Sequence, residues 1–265
     1  MIDLHCHLLP AIDDGPATLE GSVALAEAAE AAGITTVVAT PHVSWRYLND
    51  AASVVAGVEL VRSALRDRGI GVDVRAGAEI ALTRVSDLSD EELHGLRLGD
   101  GEWLLIECPL GQNAGDFELL LRALQRRGHR IVLAHPERSP LLRRDPSRLL
   151  ALVSEGMLSS ITAGSLVGVF GREVHRFAVA LAQAGLVHNV ASDAHDAIHR
   201  PPSVREAVMA ASGDAPELRL RLGWLTQDIP QAILQGAPLP APPLVSDARR
   251  PRQRRGLGWT RFDLA

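Results

Sequence analysis

The chain has 265 residues, a formal net charge of -5 at pH 7 and 46% hydrophobic residues, a composition that is typical of a globular protein and excludes a mostly disordered chain. No apolar run approaches the ~20 residues of a transmembrane helix, and the N-terminus lacks the pattern of a secretory signal, so we expect a cytoplasmic protein. The chain contains no Lys, which excludes chemistry based on a Walker A lysine or a Schiff-base lysine.

Short apolar segments alternate with amphipathic helical segments along most of the chain. The segments that predict strands are 2–8, 36–39, 72–78, 103–108, 131–134, 158–161 and 186–191. The segments that predict helices are 18–32, 51–68, 115–127, 146–154 and 173–184. Such alternation predicts a mainly parallel sheet with helices outside it. About seven repeats favour a closed barrel, because an open sheet would normally carry a Gly-rich nucleotide loop after its first strand.

The C-terminal segment differs in composition from the rest of the chain. We predict a single barrel domain over residues 1–236 and a flexible Pro/Arg-rich tail over residues 237–265. Residues 246–265 contain six Arg and two Asp, so the remainder carries a net charge of -9. We interpret the tail as a solvated segment; the alternative is an electrostatic contact with an acidic partner or a membrane surface.

Imidazole and carboxylate side chains recur at the C-terminal ends of the predicted strands. The candidate metal ligands are His5, His7, Asp14, His42, Glu79, Glu107, His135, Asp193 and His195. The ends of parallel barrel strands converge on one face, where active sites lie. Ligands of these types without thiolates favour Mn, Fe or Zn over a structural zinc site. Among the other histidines, we expect surface or structural positions for His94, His129 and His175 and a core position for His188. His199 follows the last candidate ligand and is considered as a residue that supports the ligands.

Two arginines indicate the class of substrate. Arg138 and Arg200 each follow a candidate histidine ligand by a few residues, on loops of the same predicted face. Planar guanidinium groups bind phosphate through two parallel hydrogen bonds, so their position next to a metal cluster favours a phosphate ester. Neither Cys6 nor Cys108 has an Arg six positions later, which excludes the Cys-x5-Arg loop of cysteine-based phosphatases.

Together these residues resemble the PHP (polymerase and histidinol phosphatase) superfamily. Residues 3–7, Asp-Leu-His-Cys-His, are similar to its first motif. The motifs at 5–16, 39–42, 77–80, 134–138 and 192–195 are most similar to the bacterial manganese-dependent protein-tyrosine phosphatases of capsular and exopolysaccharide synthesis. The resemblance implies a distorted (β/α)7 TIM-like barrel, three divalent metal ions, and a tyrosine-phosphorylated protein as substrate, such as a tyrosine kinase that regulates polysaccharide synthesis.

The resemblance also implies a role for each candidate residue. The expected ligand sets are His5, His7, Glu79 and Asp193 for the first ion; Glu79 as a bridge with Glu107 and His135 for the second; and Asp14, His42 and His195 for the third. Arg138 and Arg200 would hold the phosphate. We expect a metal-activated hydroxide to attack phosphorus, with no cysteine intermediate.

Three other functions compete with this interpretation. The first is a histidinol-phosphate phosphatase or another small-molecule phosphoesterase of the superfamily; a histidinol-phosphate phosphatase would not be expected to carry the Asp-Asp-Gly-Pro stretch at residues 13–16. A nucleic-acid phosphodiesterase is disfavoured, since an acidic body with 3% aromatic residues offers neither phosphate-tracking charge nor stacking platforms, and we expect no nucleic-acid partner. A non-catalytic adaptor that used the basic tail would have no need of the complete ligand set.

Overall fold

A computed structural model of the chain describes residues 1–111 and 116–243. Within these ranges, strands β1 to β9 cover Ile2–Cys6, Thr36–Ala39, His42–Val43, Asp73–Ala76, Glu79–Ala81, Trp103–Glu107, Arg130–Ala134, Leu158–Thr162 and Asn189–Ala191. Helices α1 to α11 cover Leu19–Ala31, Ala51–Arg68, Asp90–Gly95, Phe117–Arg126, Pro140–Arg144, Ser147–Ser154, Ala163–Leu166, Arg172–Gln183, Val204–Ala211, Pro216–Leu220 and Ile229–Gln235. Short helical turns lie at Leu82–Arg84, Pro136–Arg138 and Trp224–Asp228.

The ladders between these strands are parallel. Strand β2 pairs with β1 and β4, strand β3 pairs with β5, and β5 to β9 pair in chain order. Two barrel strands are interrupted: β3 follows β2 after Thr40 and Pro41, and β5 follows β4 after Gly77 and Ala78. Pro41 has no N–H to donate to a ladder, which explains one of the breaks.

Hydrogen bonds also connect the first strand to the end of the last. The His7 amide donates to the Ala194 carbonyl (2.9 Å), and the Asp193 amide donates to the His5 carbonyl (2.8 Å). Cys6 and Ala194 form a parallel bridge between these segments. With β2–β3 and β4–β5 counted as single interrupted strands, seven strand positions follow one another around the molecule. The predicted α/β fold with a parallel, TIM-like arrangement is confirmed.

Local sequence signals set the helix bounds near the predicted ones. Helix α2 begins after Asp50, which forms a capping box with Ser53, and ends at Gly69 in the left-handed conformation (φ 68°). Helix α1 begins after Thr18, whose hydroxyl accepts a hydrogen bond from the Gly21 amide. The sequence predicted neither α9 and α11 nor the short helices α3, α5, α7 and α10, and the short ones span too few turns to show a clear apolar period.

The chain beyond α11 stays against the barrel as far as it is described. Trp224 Nε1 donates to the Pro240 carbonyl (3.0 Å), and Leu239 packs against the core. Residues 244–265, which carry the Arg-rich part of the predicted tail, lie outside the described residues. None of the helices in the described ranges has both the length and the apolar character required to cross a bilayer.

Candidate metal centre and phosphate site

The candidate ligands meet at the C-terminal ends of the strands. Those within or at the ends of strands are His5 in β1, His42 in β3, Glu79 in β5 and Glu107 in β6. Those in the segments that follow a strand are His7 and Asp14 after β1, His135 after β7, and Asp193 and His195 after β9. The convergence predicted from a parallel sheet therefore brings all nine side chains to one end of the fold.

Glu79 lies at the centre of this cluster and is only 1% exposed. Its Oε2 atom is 3.2 Å from His5 Nε2, 3.4 Å from His7 Nε2 and 3.0 Å from His42 Nδ1. Its Oε1 atom is 2.7 Å from His135 Nε2. Burial raises the pKa of the Glu79 carboxyl, but the surrounding imidazoles outweigh that effect and hold the pKa well below its usual value. Glu79 is therefore a buried, ionised carboxylate at the point where four imidazoles converge.

Three groups of ligand atoms are compact enough to hold a metal ion, each with its atoms within 4.8 Å of one another. The groups are His7, Asp14, His42 and His195; His5, His7 and Asp193; and His42, Glu79 and Glu107. Glu79 Oε2 accepts no hydrogen bond from the described residues although it is buried. All of these side chains except the exposed Asp14 are buried or half-buried. Carboxylates and imidazoles whose acceptor atoms face one another in this way fit divalent cations, which would neutralise the carboxylates and use the nitrogen lone pairs.

Asp13 is a supporting residue that belongs to the motif at 5–16 but to which the sequence assigned no role. Its Oδ2 atom is 2.7 Å from His7 Nδ1 and accepts a hydrogen bond from the His42 amide (3.0 Å), and its Oδ1 atom accepts one from the Gly15 amide (2.9 Å). Burial raises the pKa of Asp13, but the bond to His7 and the amides lower it further than burial raises it. Asp13 therefore orients His7 and the start of β3, whereas its neighbour Asp14 faces the cluster. The signal in the sequence was the adjacent pair of aspartates.

Two ligands occupy a backbone conformation that residues other than glycine rarely adopt. His135 has φ 36° and Asp193 has φ 53°, both in the left-handed region. They come directly after β7 and just beyond β9, where the chain leaves the barrel. Such strain persists only where the surrounding structure imposes it, and it is concentrated at functional sites.

Asp193 connects the imidazole cluster to the two arginines. Its Oδ1 atom faces His5 Nε2 (3.6 Å) and His7 Nε2 (3.4 Å). Its Oδ2 atom accepts a hydrogen bond from Arg138 (2.7 Å) and forms an ion pair with Arg200 Nη2 (2.8 Å), which donates a hydrogen bond to the Asp193 backbone carbonyl (3.0 Å). Burial raises the pKa of Asp193, but the imidazoles and Arg200 lower it below its usual value. One ionised carboxylate thus holds both guanidinium groups at the edge of the ligand cluster.

Phe170 supports the two guanidinium groups from one side. Its ring centre is 4.3 Å from the Arg138 Cζ atom and 6.0 Å from the Arg200 Cζ atom. A cation placed over an aromatic face is attracted to the ring, so Phe170 restricts where both arginines lie. Sequence reasoning missed Phe170, because nothing in its local pattern distinguishes it from a packing residue.

The two cysteines and two of the remaining histidines do not belong to the candidate ligand cluster. Cys6 and Cys108 are buried, and burial raises the pKa of each thiol well above its usual value, so neither provides a thiolate nucleophile. His199, for which support of the ligands was considered, is 85% exposed and pairs with Asp196 (3.4 Å). His188 lies just before β9.

Comparison with known proteins identifies the family. The model for capsular polysaccharide synthesis proteins of the CpsB/CapC type matches residues 1–217. The chain belongs to the CpsB/CapC family. It is similar to tyrosine-protein phosphatase YwqE of Bacillus subtilis, with 40% identity over 211 residues that cover 78% of this chain and 82% of the relative. Tyrosine-protein phosphatase CpsB of Streptococcus pneumoniae is 30% identical over 216 residues, covering 78% and 88%.

Solved structures agree with this membership of the CpsB/CapC family. A chain from the crystal structures of YwqE from Bacillus subtilis and CpsB from Streptococcus pneumoniae, described as unique metal-dependent tyrosine phosphatases, superposes with a TM-score of 0.79 and 33% identity. The superposition covers 92% of this chain and 100% of the other. An L-hydantoinase from Arthrobacter aurescens, with a TM-score of 0.50 and 13% identity over 89% of this chain and 70% of its own, shares the fold alone.

Proposed function

We propose that this member of the CpsB/CapC family is a metal-dependent protein-tyrosine phosphatase. The observation that carries the proposal is the position of Asp193, which faces the imidazole cluster with one oxygen and binds Arg138 and Arg200 with the other. Asp193 would therefore belong to both a metal site and the adjacent phosphate site. The tyrosine phosphatases YwqE and CpsB, to which the chain is similar over most of its length, support the same reaction.

The ligand cluster would hold up to three divalent ions, for which we propose manganese, with iron or zinc as substitutes. The residues that would bind them are His5, His7, Asp14, His42, Glu79, Glu107, His135, Asp193 and His195. Bound ions of this kind lower the pKa of water and neutralise the charge of phosphoryl oxygens, which is the chemistry they would supply here.

The two arginines bind and orient the phosphate. Each guanidinium has five N–H donors and uses a terminal nitrogen to hold Asp193, so further donors remain to bind phosphoryl oxygens. Because Asp193 and Phe170 hold both groups in place beforehand, little reorganisation is required as negative charge grows on the phosphoryl group. A tyrosine leaves as a phenolate, whose parent pKa is about 10, so the reaction has less need of a general acid than the release of an alkoxide has.

We further propose that the substrate is a phosphotyrosine protein in the cytoplasm, such as a tyrosine kinase of polysaccharide synthesis. The description of the family, capsular polysaccharide synthesis, supports this choice. The Arg-rich residues 249–261 would provide a contact for an acidic partner or membrane surface.

The test is a metal-reconstitution assay with two substrates. The purified full-length protein is stripped with a chelator and reloaded with Mn²⁺, Fe²⁺ or Zn²⁺, and metal content is measured with turnover of a phosphotyrosyl peptide and of histidinol phosphate. We expect activity only after reloading and a preference for the peptide. A Cys6→Ala, Cys108→Ala double variant should keep the metal-dependent activity on the peptide. Activity in the stripped protein, or preference for histidinol phosphate, would contradict the proposal.

A further inference from the structure

An apolar cleft opens directly beside Arg200, between the segment that follows β8 and the segment that follows β9. Its volume is about 180 Å³. The apolar side chains that line it are Ala163, Val167, Val169, Phe170, Pro201 and Ala207. Asp193 and Arg200 form one end of the same cleft, so its wall is continuous with the phosphate site described above.

We propose that this cleft binds the aromatic ring of the substrate's phosphorylated tyrosine, an inference that rests on the proposed phosphatase function. A single bridging oxygen separates the ring of phosphotyrosine from its phosphorus. A ring attached to a phosphate held by Arg200 therefore lies next to Arg200, and the cleft is the apolar space found there. The side chains of neighbouring residues in the substrate start farther from the phosphate, beyond the ring.

The size of the cleft fits the ring. An apolar cavity of about 150 Å³ accepts benzene, and this cleft is slightly larger. Phe170 provides an aromatic surface against which a second ring can pack edge-to-face or offset. An alkyl phosphate, such as phosphoserine, would leave most of the cleft filled with water, so the cleft favours aryl phosphates.

Two valines that line the cleft are largely exposed to solvent. Val167 and Val169 are 50% and 61% exposed, on the segment that leads from α7 to α8. Exposed apolar groups that adjoin a polar site are typical of surfaces that a ligand covers. Binding of a ring would remove both side chains from water, and this burial of apolar surface would contribute to the binding free energy.

Gly164, which lies between β8 and the two valines, also lines the cleft. A Cβ atom added to Gly164 would lie 3.2 Å from Phe170 Cε2 and 3.4 Å from Val169 Cβ. The lack of a side chain at Gly164 therefore allows Phe170 and Val169 to approach α7 closely, which places the aromatic face against the cleft.

The inference is tested with a substrate that contains only the ring and the phosphate. In the metal-loaded full-length protein, we would measure the KM of phenyl phosphate and the inhibition constant of inorganic phosphate for the Val167→Ser, Val169→Ser double variant. We expect the KM to rise about tenfold, because apolar contacts with the ring are lost, and the inhibition constant of phosphate to stay unchanged. The matched control is Val55→Ser on α2, where the valine is 51% exposed and distant in sequence from both loops.

A second variant fills the cleft instead of making it polar. Ala207→Leu on α9 should reduce kcat/KM for phenyl phosphate by a similar factor, again with no change in the inhibition constant of phosphate, provided that its melting temperature matches the wild type. An unchanged KM in the valine double variant would overturn the inference. So would a parallel rise of KM and phosphate inhibition constant, or a loss seen with a phosphotyrosyl peptide but not with phenyl phosphate.

These outcomes separate the inference from the proposed function. If the wild-type protein, loaded with metal, fails to hydrolyse a phosphotyrosyl peptide, the phosphatase function fails and the inference fails with it. If the wild-type protein hydrolyses the peptide and the cleft variants match the Val55→Ser control, only the ring site is refuted.

Discussion

Asp13 Oδ2 lies 2.7 Å from His7 Nδ1, so a carboxylate behind the candidate metal cluster sets the orientation of an imidazole within it. With the proton of His7 on Nδ1 and donated to Asp13, the lone pair on Nε2 points toward Glu79 and Asp193, each 3.4 Å away. A carboxylate that accepts from the far nitrogen of a metal-binding histidine fixes its tautomer and increases its basicity. The Asp13–His7 pair has this arrangement.

We therefore predict that Asp13→Asn weakens metal binding without removing any candidate ligand. The amide keeps the size of the side chain but loses the negative charge and one acceptor oxygen. If its oxygen stays with His7 and the His42 amide, the NH2 group faces the Gly15 amide; if its oxygen turns to Gly15, the NH2 group faces His7, so a donor meets a donor in either orientation. Loss of such a partner typically costs 10–100-fold in metal affinity, which titration calorimetry with Mn²⁺ would measure. Asp67→Asn, on the exposed side of α2, is the matched control. Equal affinities in the two variants would remove Asp13 from the site.

Arg138→Lys should lower kcat/KM for phosphorylated substrates while metal binding stays largely intact. Lys keeps the positive charge but loses the planar set of donors and the stacking on Phe170. Removal of a hydrogen bond to a charged group costs about 1.5–3 kcal/mol, so we expect kcat/KM for a phosphotyrosyl peptide to fall roughly 10- to 150-fold. Metal content should stay at the wild-type level, as should the kinetics of the exposed control Arg66→Lys on α2. A large loss of metal in Arg138→Lys would instead show that its main role is to hold Asp193.

The main features of the site could be predicted because they follow from the alternation of strands and helices along the chain. Once alternating strands and helices indicate a parallel barrel, every strand end maps to the same face. His5, Glu79 and His135 could therefore be grouped although more than 100 residues separate the first from the last. The structure also shows why the grouping is tight, since Glu79 contacts both of the others.

The supporting residues could not be predicted, because their roles depend on contacts between distant loops. Phe170 reaches Arg138 from a segment 32 residues later in the chain, and a lone aromatic residue in a loop carries no local sign of such a contact. The left-handed backbone of His135 and Asp193 is equally hidden, since residue type there would favour an ordinary conformation. The break between β2 and β3 is an intermediate case, because the strand at 36–39 was predicted but its continuation at His42–Val43 beyond Pro41 was not.

Gly15 is predicted to be essential for the loop that carries the two aspartates. A Cβ atom at this position would lie 2.4 Å from the His7 carbonyl oxygen and 3.0 Å from Asp13 Oδ1, so Gly15→Ala must displace the loop from the end of β1. We expect a loss of about 1–3 kcal/mol in the free energy of unfolding, together with weaker Mn²⁺ binding. Chemical denaturation and metal titration measure the two effects.

The control for this change is Gly213→Ala, since no heavy atom lies within 4 Å of a Cβ at that position. That variant should stay within about 0.5 kcal/mol of the wild type, as surface substitutions generally do. If both glycine variants behave alike, the close approach of Gly15 to His7 is not important to the loop.

His188 should make the stability of the fold fall in mild acid. Burial lowers its pKa to about 4, and its Nδ1 atom accepts a hydrogen bond from the Ser159 amide (3.2 Å). An unfolded chain has a histidine pKa of about 6.5, so between these two values the unfolded state binds more protons than the folded state. The free energy of unfolding therefore falls as the pH falls from 6.5 toward 4, by at most about 3 kcal/mol from this group, and this contribution changes no further below pH 4.

The His188→Asn variant isolates that contribution, because Asn can still accept from the Ser159 amide but does not titrate. Unfolding by urea would be followed at several pH values, in a chelator so that metal binding does not contribute. The difference between wild type and variant should shift in favour of the variant as the pH falls below 6.5. A difference that is constant from pH 7 to pH 4 would mean that His188 is protonated as readily in the folded protein as in the unfolded chain, and that its burial does not destabilise the charged form.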